Sequence, residues 1–160
     1  MRTAMRRTMF AFVLLALACG GDSNGTGPGP TPPPPPPPPP PTAPMTAKLN
    51  GQAFVAEFAT LGRSAGWVYI NGAGLPSNAI GFAFADQGTG TYTIAPGNLV
   101  SSGVTVGSTA WVAGQSQGSG TIMVTTFTAN RIAGTFTINL VPSLGGPPMA
   151  VTDGVFDFTF

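Results

Sequence analysis

The chain has 160 residues, only 7% of them charged, with one cysteine and no histidine. Lacking histidine, it has neither the commonest general base nor the commonest zinc ligand, and a single thiol forms no internal disulfide. Once Arg2, Arg6 and Arg7 at the start are set aside, three cations (Lys48, Arg63, Arg131) face five carboxylates (Asp22, Glu57, Asp86, Asp153, Asp157), a net charge of −2 with no basic patch, which excludes nucleic acid as a partner.

The first twenty residues run from those arginines through the apolar stretch Met9–Leu17 to Ala18-Cys19-Gly20. The stretch is too short to span a bilayer as a helix, and the preceding positive charges hold its start on the cytoplasmic side. Leu15-Ala16-Leu17-Ala18-Cys19 resembles the processing site of bacterial lipoprotein signals. That resemblance implies cleavage after residue 18, a diacylglycerol on the Cys19 thiol, palmitate-type acylation and anchoring in the cell envelope. Gly20, standing where aspartate would retain the protein, implies sorting to the outer membrane.

Residues 19–44 read as the lipidated cysteine and a disordered linker. Gly20–Pro30 has too little apolar content to order itself. Pro32–Pro41 is an unbroken run of ten prolines, which can only form a polyproline II rod roughly 30 Å long, a spacer between membrane and domain. An aromatic-lined groove is the alternative use of such a rod.

Met45–Phe160 then offers enough chain for one domain with its own core. Its apolar residues recur with period two. Trp67 and Tyr69 alternate with Val68 and Ile70. Ile80, Phe82 and Phe84 alternate with Ala79, Gly81, Ala83 and Ala85. Phe136, Ile138 and Leu140 alternate with Thr135, Thr137 and Asn139, and Phe156, Phe158 and Phe160 with Val155, Asp157 and Thr159. Phe54 and Phe58 read as one face, opposite Val55 and Glu57. Ile122, Val124 and Thr126 alternate with Met123 and Phe127. Such alternation means strands with one buried face, and no helical period of useful length follows Pro44.

Turn chemistry punctuates the runs at Asn50-Gly51, Asn71-Gly72, Pro76-Ser77-Asn78, Asp86-Gln87-Gly88, Pro96-Gly97-Asn98, Gln115–Gly118, Ala129-Asn130 and Leu144–Pro148. Asp153-Gly154 falls inside the last run as a bulge or a turn. The expectation is an all-β domain, an antiparallel β-sandwich or small barrel of about eight or nine strands, each about six to ten residues long.

Three motifs carry a second resemblance: Gly118-Ser119-Gly120-Thr121-Ile122, Arg131-Ile132-Ala133-Gly134-Thr135-Phe136, and Gly154-Val155-Phe156-Asp157-Phe158. Together with the opening Lys48–Phe54 hairpin they resemble a family of uncharacterised bacterial lipoprotein domains. The resemblance implies an all-β domain of unknown function and supplies no active-site residue.

For chemistry, the sequence offers Glu57, Asp86, Asp153, Asp157 and Lys48. A glycosidase-like carboxylate pair needs one raised pKa and a second carboxyl about 5–10 Å away, and no spacing here signals that. Calcium loops and phosphate loops are absent, so no metal and no cofactor is expected. The remaining lead is aromatic: Trp67, Tyr69, Tyr92 and Trp111 form a candidate platform for a carbohydrate, an apolar ligand or a protein partner. The terminal Phe156–Phe160 run resembles the closing strand of outer-membrane barrels, but the strands are too short for that reading and the run is taken as soluble. The chain therefore reads as a membrane-anchored, exported lipoprotein with a non-enzymatic binding or structural β-domain. The alternative is a small hydrolase of extracellular polysaccharide.

Overall fold

In a computed structural model, residues 43–160 are described; the expected signal peptide, Cys19 and almost all of the expected linker lie outside them. Eleven antiparallel strands form the domain: β1 (Met45–Leu49), β2 (Gln52–Val55), β3 (Phe58–Ser64), β4 (Trp67–Gly74), β5 (Asn78–Ala85), β6 (Gly90–Ile94), β7 (Ser101–Val106), β8 (Thr109–Ala113), β9 (Ser119–Phe127), β10 (Arg131–Pro142) and β11 (Met149–Thr159). The all-β expectation holds, with eleven strands in place of eight or nine and lengths from 4 to 12 residues.

The strands make one curled sheet in two layers. The first runs β2-β1-β11-β10-β9-β6, the second β3-β4-β5-β7-β8. Strand β10 joins them. Along Ile132–Asn139 one of its edges pairs with β9, and at Val141 and Pro142 it pairs with β8. At the far side the chain passes from β2 to β3 through Ala56 and Glu57, whose backbone N–H groups donate to the Met45 and Ala73 carbonyls.

This crossing corrects the reading of Phe54 and Phe58 as one face. Phe54 is buried in the first layer, whereas Phe58, beyond the crossing, points to solvent from the edge of the second. Alternation persists within a strand but restarts when the chain changes layer.

The core lies between the layers. Phe82 of β5 meets Phe136 and Phe156 of the opposite layer at ring-centroid distances of 5.0 and 5.5 Å, and Phe84 meets Tyr92 at 4.6 Å. Val68, Ile70, Ile80, Ile122, Ile132 and Leu140 are fully enclosed around these rings. Aromatic pairs of this kind contribute beyond the area they bury.

Several turns fall where turn chemistry places them. Asn50 (φ 47°) and Gly51 (φ 83°) connect Leu49 to Gln52 in the two-residue loop whose twist matches the strands. Asp153 (φ 52°) marks a bulge in β11, where the register shifts against both β1 and β10.

Asn71-Gly72, in contrast, is no turn. It lies in the middle of β4, and its glycine answers a packing demand: a Cβ there would come within 2.8 Å of the Met45 sulfur. The motif glycines behave alike. A Cβ at Gly120 would meet the Thr137 carbonyl at 2.6 Å, and one at Gly154 the Phe136 carbonyl at 2.5 Å. One at Gly134 would collide with the Met123 carbonyl. Arg131 and Asp157, from two of the motifs, form a bidentate ion pair across β10 and β11. The motifs therefore report how backbones and rings close on one another in the core.

Candidate functional site

The four aromatic residues of the proposed platform do not meet. Tyr92 is a core residue, 9% exposed, its ring on Phe84 and its hydroxyl donating to the Gly88 carbonyl at 2.7 Å. Burial pushes that hydroxyl's pKa above its ordinary value. Trp111 shares the inner face of the second layer with Val104, half-buried against the core, and its indole N–H donates to the Pro147 carbonyl at 3.0 Å. Both indole and phenol have found hydrogen-bond partners within the fold. Trp67 and Tyr69 alone share an outward face, on β4, while Val68 and Ile70 beneath them are fully buried.

Around Tyr69 the outer face of the second layer forms a trough of about 580 Å³. Strand register arranges it in rows. Gly62, Tyr69, Ala83 and Ser101 make one; Thr60, Asn71, Gly81 and Gly103 the next; Phe58, Ala73, Ala79 and Thr105 the third. The central strands contribute a floor of alanine and glycine. Tyr69 (43% exposed) and Phe58 (73% exposed) stand above it. The sequence reading missed Phe58, because the layer crossing reversed its face, and it missed the floor. Ala79, Gly81, Ala83 and Ala85 were legible only as small residues opposite a buried run.

The floor glycines differ from those of the core. At Gly103 a Cβ would touch only the Trp111 carbonyl, at 3.8 Å, and at Gly62 nothing within 4 Å. Neither is required by packing. Gly81 is intermediate, since the Asn71 side-chain oxygen would lie 2.5 Å from its Cβ.

No charged residue lines the trough. Arg63 holds Asp86 in a bidentate pair at 2.8 and 2.9 Å and caps the Phe127 ring at 4.9 Å. Lys48 pairs with Asp153 at 2.9 Å. The Arg131 guanidinium beside Asp157 holds that carboxyl below the usual carboxylate value. Each aspartate of the described residues thus has its own cation, and Glu57 sits apart at the crossing between layers. Among the described residues no three potential metal ligands of the His, Cys, Asp or Glu type converge. Cys19 lies outside them.

No curated protein and no solved structure matches this chain. A family does match, over residues 41–158, which takes in all but the last residue of the eleven strands. The chain belongs to that family, described as a domain of unknown function (DUF6252).

Proposed function

We propose that this chain is a lipid-anchored envelope protein whose β-domain is a non-enzymatic binding module, with the outer face of β3, β4, β5 and β7 as its binding surface. The trough carries the proposal. An exposed strand face ordinarily bears β-branched and polar side chains, which stiffen and solvate it. Here the middle of the face is cut down to alanine and glycine, at Gly62 and Gly103 without any demand from packing, beside two exposed aromatic rings. Glycine in a strand interior costs stability and marks a place of close approach. The volume is within the range of small-ligand sites.

A hydrolase is the weaker reading. General-acid catalysis needs a carboxyl with a raised pKa. Asp157 is shifted the other way, and Asp86 and Asp153 are each engaged by a cation away from the trough. Anchoring rests on the resemblance of residues 1–20 to a lipoprotein signal, and the spacer role on Pro32–Pro41.

Two experiments test this reading. Cys19→Ala in the full chain is expected to lose labelled palmitate and membrane association, and membrane retention as tight as that of the unaltered chain would refute anchoring. The soluble full chain carrying Cys19→Ser is expected to co-sediment with the insoluble envelope fraction of the producing cells. Adding Gly103→Leu, which fills the trough, is expected to abolish that association. Equal sedimentation of both forms would remove the binding face from consideration.

A further inference from the structure

We infer that the trough binds a neutral glycan chain, an inference that rests on the reading of this face as the binding surface. The lining carries no acid and no base. A phosphate, a carboxylate or a cationic peptide would find no counter-charge and would be desolvated without compensation. Long-chain apolar ligands are disfavoured for a different reason. The trough is open to solvent along its length, and hydroxyls and an amide (Thr60, Ser101, Thr105 and Asn71) are spread across three of the four strands that form it.

Those groups each donate and accept, which is what a ring of sugar hydroxyls asks for. The Asn71 side-chain oxygen lies over Gly81, where a Cβ would come within 2.5 Å of it. The amide therefore stands in the middle row of the trough, between Thr60 and Gly81.

The aromatic residues complete the pattern. Tyr69 has Gly62 on one flank and Ala83 on the other, so no neighbour in its row shields its ring. A sugar's apolar C–H face stacks on such a ring, the same amphipathic complementarity that places tyrosine at binding surfaces. Phe58 stands two rows away on the adjacent strand, opposite Ala73. Strand geometry puts the two rings roughly 14 Å apart, with Thr60 and Asn71 between them. Two stacking stations with a polar station between them suit several linked sugar rings better than a single one.

A second copy of the domain is the main competitor, since alanine and glycine faces permit close sheet stacking. The rings of Tyr69 and Phe58 stand above the alanine and glycine floor and would hold a second sheet face away from it.

The full chain with Cys19→Ser would be screened against an array of neutral glycans. It would then be titrated, isotope-labelled, with β-1,4-linked hexasaccharides of glucose and of N-acetylglucosamine and with any glycan the array retains. The expected result is saturable shifts confined to β3, β4, β5 and β7. Affinity should fall at least tenfold in Tyr69→Ala and be lost in Gly103→Val, with thermal midpoints of both variants unreduced. If no glycan shifts these strands but a proline-rich peptide, a long-chain fatty acid or self-association does, the glycan inference is overturned and the binding face stands. If none of these probes perturbs the face, both readings fall.

Discussion

The two outer faces of this molecule meet the same solvent with opposite relief. On the first layer one register row reads Val55, Thr46, Val155, Thr135, Met123 and Thr91, and Thr137, Thr121 and Thr93 form a partial row beside it. β-Branched side chains cover that surface, as strand propensity favours. On the second layer the central row reads Thr60, Asn71, Gly81, Gly103 and Val112. The first face is what a sheet does when only stability and solubility act on it. The second gives up propensity at Gly103, where nothing inside the fold requires it, and the difference is the strongest physical sign of where a partner approaches.

Side chains of one type placed on either side of the second layer give the largest test of that contrast. Phe82 points inward among Phe84, Phe136 and Phe156, so Phe82→Ala is expected to cost about 4 kcal/mol in urea unfolding. Phe58 is 73% exposed, and Phe58→Ala is expected to change stability by less than about 0.5 kcal/mol. A large loss from Phe58→Ala would mean the ring supports the fold, and its place in the trough would lose its meaning.

Glycines give the second test. Gly134→Ala places a methyl group against the Met123 carbonyl and within 2.7 Å of the Phe156 ring, so a loss of about 3 kcal/mol or failure to fold is expected. A stability close to wild type would show that the motif glycines have a role other than packing.

Much of this architecture was legible in residues, and the gaps have physical causes. Period-two runs located the buried faces of β4, β5, β10 and β11, because a half-buried strand must alternate. Strand number came out low because two connections carry weak turn signals. Ala65-Gly66 links β3 to β4 with Ala65 at φ 51°, a conformation that alanine rarely adopts and so does not advertise. Gly107-Ser108 makes an equally short link between β7 and β8. Asn71-Gly72 erred in the other direction, since a glycine demanded by Met45 is indistinguishable in sequence from a glycine demanded by a turn. The site was half visible. Trp67, Tyr69, Tyr92 and Trp111 look alike in sequence as one platform, yet only Tyr69 lines the trough, while Tyr92 and Trp111 are satisfied within the fold. Only register across four strands assembles the floor, and register is not written in any one segment.

A pH test separates the paired charges from the neutral trough. Asp157's carboxyl is held below the ordinary value of 3.8, chiefly by its hydrogen bond from Arg131, with burial opposing. A carboxyl depressed in the fold contributes stability that is present above the ordinary value and is lost as pH falls through the folded one. Asp157→Asn is therefore expected to flatten the acid limb of a stability profile below about pH 4 and to leave its alkaline limb unchanged. Affinity at the uncharged trough should not follow that limb while the protein remains folded. An unchanged acid limb in Asp157→Asn would show that the pair does not contribute to folding.

The smallest effect bears most directly on the contrast between the faces. Gly103 has strand backbone geometry, pairs with Val112 of β8 and with Gly81 of β5, and has room for a Cβ, which would meet only the Trp111 carbonyl at 3.8 Å. A valine there would restrict the unfolded chain, suit the strand and gain a cross-strand contact with Val112, for a stabilisation of about 0.5–1 kcal/mol. On the first layer the equivalent surface positions already hold threonine and valine, so no comparable gain remains there. A measured rise in the urea midpoint of Gly103→Val, accompanied by loss of binding, would show that this glycine is a sacrifice of stability to a ligand. A fall in the midpoint would mean that the fold needs the glycine after all, and the small-residue floor would then be architecture like the glycines of the core.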